Sequence, residues 1–158
     1  MAELSHFDKE GQAIMVDIGS KEATERVAVA TGKLFVSEEI LEKIAAGTMA
    51  KGDVLGVARI AGIMGAKKTS ELIPLCHLLA LSSCKVEFSL HKEAQPYVEA
   101  RCTAKTTAQT GVEMEALTGV QIALLTIYDM CKAVDKRMVI SEVHLVEKTG
   151  GKSGAFLF

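Results

Sequence analysis

Apolar and polar positions alternate along four stretches of the chain, with the period of two that is typical of half-buried β-strands. The strands are predicted over 26–36, 84–91, 97–106 and 138–147. In the second stretch, Val86, Phe88 and Leu90 alternate with polar neighbours, so one face of the predicted sheet is apolar and the other is polar.

Three other stretches have helical spacing, and they are predicted over 37–46, 53–66 and 111–134. Ser37 is a natural N-cap for the first helix, and Gly47 is a natural stop after it. In the second helix the predicted apolar face is rich in small residues and consists of Val54, Val57, Ala58, Ile60, Ala61 and Met64. The segment 67–80 contains Pro74 and is interpreted as a loop or a broken helix.

The order of these elements predicts an α+β fold, the ferredoxin-like split βαβ arrangement. We expect a four-stranded antiparallel sheet with helices packed on one face. Its other face needs cover, which indicates an oligomer. Three regions are predicted: an N-terminal arm (1–25), the ferredoxin-like domain (26–148) and a flexible tail rich in Gly and Lys (149–158), for which a disordered end is an equally good interpretation.

Composition narrows the class of protein. The 158 residues suit one domain, and 49% of them are apolar, an excess that we interpret as subunit interfaces. The net charge of -2 argues against a nucleic-acid binder. Neither a signal peptide nor an apolar run long enough to span a membrane is found, so a cytoplasmic protein is expected. The four cysteines are isolated in sequence, which predicts free, mostly buried thiols rather than a zinc or redox motif.

The last turn of the long helix carries the first candidate site. Asp129 and Lys132 are three residues apart and share a helix face, so the lysine favours an ionised carboxylate that can act as a base. An ordinary surface ion pair is the alternative. Glu115 lies fourteen residues earlier, roughly 21 Å along the helix axis, so one small substrate cannot bridge both carboxylates on one helix. If both are functional, symmetric subunits must bring them together.

The predicted loop presents a second candidate. His77 follows Cys76 in an apolar segment shaped by Pro74, and histidine can both bind oxyanions and move a proton near neutral pH. A packed histidine without a chemical role is the alternative.

Cations form a third set. Lys51 precedes a helix N-terminus, Lys67 leaves the same helix, and Lys148 and Lys152 flank the glycine pair near the start of the tail. The tail is not a P-loop, because that pattern requires glycine where Val146 stands. No His, Cys and carboxylate group has metal-ligand spacing, so no metal and no cofactor are predicted. The residues favour acid–base chemistry on an anionic small molecule.

Six stretches together resemble one family, that of the cyclic pyranopterin monophosphate synthases, the protein C family of molybdenum cofactor biosynthesis. They are 51–53 (KGD), 58–63 (ARIAGI), 72–77 (LIPLCH), 110–118 (TGVEMEALT), 125–134 (LTIYDMCKAV) and 150–154 (GGKSG). The resemblance runs from Leu4 to Phe156.

The resemblance implies a lyase that converts a cyclised GTP derivative, (8S)-3′,8-cyclo-7,8-dihydroguanosine 5′-triphosphate, into cyclic pyranopterin monophosphate and pyrophosphate. It also implies a homo-hexamer built as a trimer of dimers, with active sites between subunits, and functional coupling to the radical GTP cyclase that acts one step earlier.

Site residues also follow from the resemblance. The catalytic group implied is Asp129, Lys51, Lys132 and His77. The substrate-binding residues implied are Leu75, Cys76, His77, Glu113, Met114 and Glu115, with Arg26, Lys67 and Lys152 as phosphate contacts. One departure concerns the loop, where Leu78 stands in place of the family's usual proline.

Two other functions remain open at this point. A non-catalytic nucleotide-binding regulatory module would bind without turnover and would not need Asp129. A structural interaction subunit would need no lysines in a pocket.

Overall fold

One antiparallel sheet of five strands organises the fold in a computed structural model that describes residues 6–152 and 154–158. The strands are β1 (Thr24–Phe35), β2 (Ser83–His91), β3 (Tyr97–Ala108), β4 (Val139–Thr149) and β5 (Phe156–Leu157). Residues 1–5 of the predicted arm, which include Leu4, and Ser153 of the predicted tail lie outside the described residues.

The strand order is β2-β3-β1-β4-β5, and β3 lies between β1 and β2. This placement of β3 between two strands joined by helices is the split βαβ arrangement, so the predicted α+β fold is confirmed. The predicted strand number is wrong by one. Phe156 pairs with Lys148 and Leu157 pairs with Glu147, so β5 extends the edge of the sheet beyond β4.

The described part of the chain contains four helices: α1 (Glu38–Ala46), α2 (Val54–Lys67), α3 (Thr69–Leu72) and α4 (Glu113–Cys131). The predicted cap of α1 is confirmed, because the Ser37 hydroxyl accepts a hydrogen bond from the Ile40 amide. Gly47 ends α1 in the left-handed conformation, with φ 67°. The predicted loop or broken helix contains the single turn of α3.

The core lies between α4 and the helix-facing side of the sheet. Its largest fully buried side chains include Leu34, Val98, Leu124 and Ile127. Gly32 on β1 lets α4 approach closely, because a Cβ there would come within 3.0 Å of Val120 and Leu124 side-chain atoms.

Helices α2 and α4 cross at Gly62 and Gly119. A Cβ on Gly62 would lie 2.9 Å from the Gly119 carbonyl oxygen and 3.1 Å from the Ala123 Cβ. The predicted face of α2 is therefore only partly right: Val54 and Ala58 are buried, but other predicted members are exposed. The exposed members are Val57, Ile60 and Met64. Helix α2 instead turns its glycine side toward α4, because only that side permits so short a separation.

All four cysteines are free; Cys102 and Cys131 are buried, whereas Cys76 and Cys84 are half-buried. Within residues 6–152 and 154–158, none of the helices has the length and apolar character needed to cross a bilayer.

Candidate active site

Asp129 lies in the last turn of α4 between two lysines. The Nζ of Lys132 is 2.7 Å from Oδ1, and the Nζ of Lys51 is 3.2 Å from Oδ2 and 3.0 Å from the Asp129 carbonyl oxygen. Lys51 reaches this position from the turn before α2, whose N-cap is Asp53. The sequence spacing predicted the contact between Lys132 and Asp129. The contact between Lys51 and Asp129 arises only because α2 and α4 cross in the folded chain.

The two lysines determine the electrostatics of this cluster. Lys132 first, and Lys51 second, lower the pKa of Asp129 below its ordinary value of 3.8, so the carboxylate is ionised at neutral pH. The carboxylate in turn raises the pKa of Lys132. Nearby, burial raises the pKa of the Cys131 thiol to about 11, although the charge of Lys51 acts in the opposite direction. Since the three charged side chains are about half exposed, they add little to stability and remain accessible to a substrate.

The histidine loop, by which we mean residues 73–78 around His77, lies at the other end of α4. Pro74 occupies the second position of a turn closed by the Cys76 amide, which donates to the Ile73 carbonyl oxygen at 3.1 Å. His77 Nε2 then donates to the Val16 carbonyl oxygen at 2.7 Å, because a carbonyl can only accept. Leu78, at the position where the resemblance implies proline, is 82% exposed.

A cavity of about 380 Å³ lies between this loop and the start of α4. Its lining includes Leu75, Cys76, His77, Glu113, Met114 and Glu115. Glu115 is only 4% exposed, and burial raises the pKa of its carboxyl group. Burial and the charge of Glu115 also raise the pKa of the Cys76 thiol, which favours a neutral thiol over a thiolate.

A second cavity of about 850 Å³ adjoins the first and is rich in cations. The two cavities share four lining residues, namely Lys21, Thr110, Gly111 and Glu113. Cationic side chains of the second cavity are Lys21, Arg26, Lys148 and Lys152. Lys148 forms a 2.7 Å ion pair with Glu113.

The glycines of the tail bring Lys152 to this cavity. Gly151 has φ 78°, and a Cβ there would collide with the guanidinium of Arg26. The positive φ favours glycine at residue 151, whereas the guanidinium is the end of a flexible side chain that could move aside.

The predicted site residues thus form two groups on one chain. Asp129, Lys51 and Lys132 gather at one end of α4, and the loop candidates gather with Arg26 and Lys152 at the other end, roughly 21 Å away. Lys67 is exposed at the last residue of α2 and lines neither cavity. Within residues 6–152 and 154–158, no three or more His, Cys, Asp or Glu side chains are grouped so as to hold a metal ion.

One cavity lysine, Lys21, was missed, because it lies in the arm, outside any chemically dense segment. Lys148, at the end of β4, belongs to the cationic set that the sequence indicates, but it was not assigned as a phosphate contact.

Comparison with known proteins gives consistent matches over the whole fold. A sequence profile described as the MoaC family matches residues 15–151. A cyclic pyranopterin monophosphate synthase of Clostridium botulinum is 60% identical over 153 residues, 97% of this chain and 96% of that protein. Proteins of the same name from Pelotomaculum thermopropionicum and Clostridium perfringens are 58% and 56% identical, covering 99% and 98% of this chain and 91% and 98% of their own lengths.

Proposed function

The chain belongs to the MoaC family, and on that premise we propose that it converts the cyclised GTP derivative 3′,8-cyclo-7,8-dihydroguanosine 5′-triphosphate into cyclic pyranopterin monophosphate and pyrophosphate. This is a lyase step of molybdenum cofactor biosynthesis. One observation carries the proposal, namely two adjoining cavities, of which one is cationic and the other holds a histidine, a cysteine and a buried carboxyl group.

The cationic cavity suits the triphosphate. Four cationic side chains face two carboxylates, those of Glu22 and Glu113, so the lining has a positive balance. Lys148 is held by Glu113 at 2.7 Å. A phosphate oxygen would compete with Glu113 for this ammonium group, since charge-assisted hydrogen bonds to phosphate are strong.

The smaller cavity suits the guanine-derived ring of the substrate. Its volume of about 380 Å³ lies in the range of small-ligand sites, and Leu75 and Met114 supply apolar surface. With Nε2 of His77 held by Val16, Nδ1 is the ring nitrogen left for the substrate. Glu115, whose carboxyl pKa is raised by burial, can hold a proton closer to neutral pH than an exposed glutamate does.

The chemistry requires proton transfers and a phosphoryl transfer. Opening the guanine imidazole ring and closing a pterin ring needs acid–base groups. In the second part a sugar hydroxyl oxygen forms a bond to the α-phosphorus, the bond from that phosphorus to pyrophosphate breaks, and the hydroxyl proton passes to a base. Cationic side chains stabilise the departing pyrophosphate.

The base that we assign is Asp129, with Lys132 and Lys51 as acid–base or charge-stabilising partners. Because this group lies roughly 21 Å from the cavities of its own chain, it serves the cavities of another subunit. The assembly we propose is a homo-hexamer, a trimer of dimers. Exposed apolar side chains on α2 and α4 support buried contacts between subunits: Val57, Ile60, Met64 and Leu125.

The substrate places the protein in a sequence of reactions. It is a GTP derivative that already carries a new carbon–carbon bond, so a radical GTP cyclase must act first, and this protein is functionally coupled to it. Since GTP is a cytoplasmic nucleotide, the proposed location is the cytoplasm.

Pyrophosphate release from the cyclised GTP derivative tests the proposal. Wild type and Asp129→Ala are compared, with Asp135→Ala as the matched control, because Asp135 is also ion-paired with a nearby cation, Arg137, but lies outside both groups. We expect turnover by wild type and the control, and a loss of about 10²–10⁴-fold in Asp129→Ala with assembly intact. Tight binding without turnover by wild type would contradict the enzyme and favour the regulatory module.

A further inference from the structure

A pair of thiols lies outside the two groups described above. Cys84 on β2 faces Ala104, and Cys102 on β3 faces Val86, so the two cysteines are diagonal neighbours on adjacent strands. Their Sγ atoms are 3.8 Å apart. A disulfide needs a separation of about 2.05 Å, so the two sulfurs must approach by about 1.8 Å.

The two thiols differ in access to solvent. Cys84 is half-buried and lines a cavity of about 410 Å³. Cys102 is fully buried, and its Sγ packs against Gly119 at the crossing of α2 and α4. A small solute therefore meets Cys84 first and finds Cys102 directly behind it.

The electrostatic environment also distinguishes them. A hydrogen bond with Cys102 lowers the pKa of Cys84, whereas the same hydrogen bond and burial raise the pKa of Cys102. Arg59 lines the same cavity as Cys84 and is fixed there by a 3.0 Å bond from its Nε to the Val86 carbonyl oxygen. The lowered pKa of Cys84 favours its thiolate, which is the nucleophilic form.

We propose that Cys84 and Cys102 form an oxidisable pair, which hydrogen peroxide converts into a reversible disulfide. The Cys84 thiolate attacks one peroxide oxygen, the O–O bond breaks, and hydroxide leaves, so that Cys84 becomes a sulfenic acid. The Cys102 sulfur then attacks the Cys84 sulfur, the S–O bond breaks, and the Cys102 proton leaves with the hydroxyl as water. The thiols lose two electrons and the peroxide gains them.

Intact-mass analysis and peptide mapping of the folded, full-length protein after treatment with hydrogen peroxide test the pair. We expect a mass loss of about 2 Da, a Cys84–Cys102 peptide linkage, and full reversal by dithiothreitol. In Cys102→Ala the resolving thiol is absent, so dimedone is expected to label Cys84 as a sulfenic acid. The matched control is the double variant Ser83→Cys with Cys84→Ser, which moves the thiol to the opposite face of β2 and is expected to form no link to Cys102.

Three results would overturn the proposal. They are an unchanged mass with both thiols still titratable after unfolding, a linkage between other cysteines, and dimedone labelling of Cys102 in Cys84→Ala instead of Cys84 in Cys102→Ala. None of these outcomes depends on turnover, so the test is independent of the proposed enzymatic activity.

Discussion

Gly62 is the position at which the α2–α4 crossing can be tested by one methyl group. In Gly62→Ala the added Cβ would lie 2.9 Å from the Gly119 carbonyl oxygen, 3.1 Å from the Ala123 Cβ and 3.2 Å from a Val86 methyl group. Ordinary contacts of this kind begin near 3.4 Å. Two of the three atoms belong to the backbone or to a Cβ, which cannot rotate away, so α2 must shift as a unit.

The expected cost follows from two opposing terms. Overpacking of a closed core costs about 2–3 kcal/mol, and replacing glycine by alanine within a helix returns about 1 kcal/mol. The net destabilisation is about 1–2 kcal/mol. For a chain of this length it lowers the apparent Tm by about 3–6 °C.

Thermal unfolding at one fixed protein concentration measures the effect, since the proposed assembly would make the Tm depend on concentration. Ala45→Gly on the exposed side of α1 serves as a control, because it reports helix propensity without a crossing contact. The shift of α2 also moves the turn that carries Lys51, so turnover should fall together with the Tm. An unchanged or higher Tm for Gly62→Ala would refute the close crossing.

Three further substitutions probe the electrostatics of the site. In Lys132→Ala the pKa of Asp129 rises toward its ordinary value of 3.8. The acidic limb of the pH profile of kcat/KM should therefore move to higher pH. An acidic limb that does not move would show that Lys132 does not lower the pKa of Asp129. In wild type the raised pKa of Glu115 makes the folded state hold its proton more tightly than the unfolded state, so the free energy of unfolding falls as the pH rises from about 4.5 through the folded-state pKa. Urea unfolding should therefore find a larger free energy of unfolding for Glu115→Gln than for wild type near pH 7.5, and no such gain near pH 4. The same gain at both pH values would contradict burial as the cause of the raised Glu115 pKa. Lys148→Met is expected to raise KM for the triphosphate substrate by about tenfold or more. The control Lys105→Met, at an exposed lysine outside the cavities, should leave KM unchanged. Equal increases in KM for both variants would indicate that Lys148 acts only through long-range charge and not through direct contact.

Local pattern predicted the elements that depend on local physics. The alternation at 84–91 and 97–106 predicted two strands, because each buries only one face. Ser37 and Gly47 predicted the limits of α1, because capping depends on a few neighbouring residues. The two-residue strand β5 was missed, since so short a segment has no period to detect.

Close approach of backbones was harder to predict. The pattern of apolar side chains assigned Val57, Ile60 and Met64 to the buried face of α2, but the closest contact is made by glycines, which contribute nothing to such a pattern. The small residues of α2 did indicate close packing, but they did not indicate which face of the helix makes the close contact.

The candidate site shows the same limit. Spacing on α4 predicted that Asp129 contacts Lys132, because both lie on one helix. The contact with Lys51 and the pair formed by Lys148 and Glu113 join segments 78 and 35 residues apart in the chain, and only the tertiary structure brings them together.

A subunit-mixing experiment tests whether the active site combines Asp129 of one subunit with the histidine loop of another. Asp129→Ala and His77→Ala chains, each inactive alone, are co-expressed, and hybrid oligomers are purified for the pyrophosphate assay. With equal incorporation, about a quarter of the sites receive two intact contributions, so about a quarter of the wild-type turnover should return. Hybrids of Asp129→Ala with Lys132→Ala chains should stay inactive, because both substitutions damage the same group at the end of α4. Inactive Asp129–His77 hybrids of confirmed mixed composition would contradict a site shared between subunits.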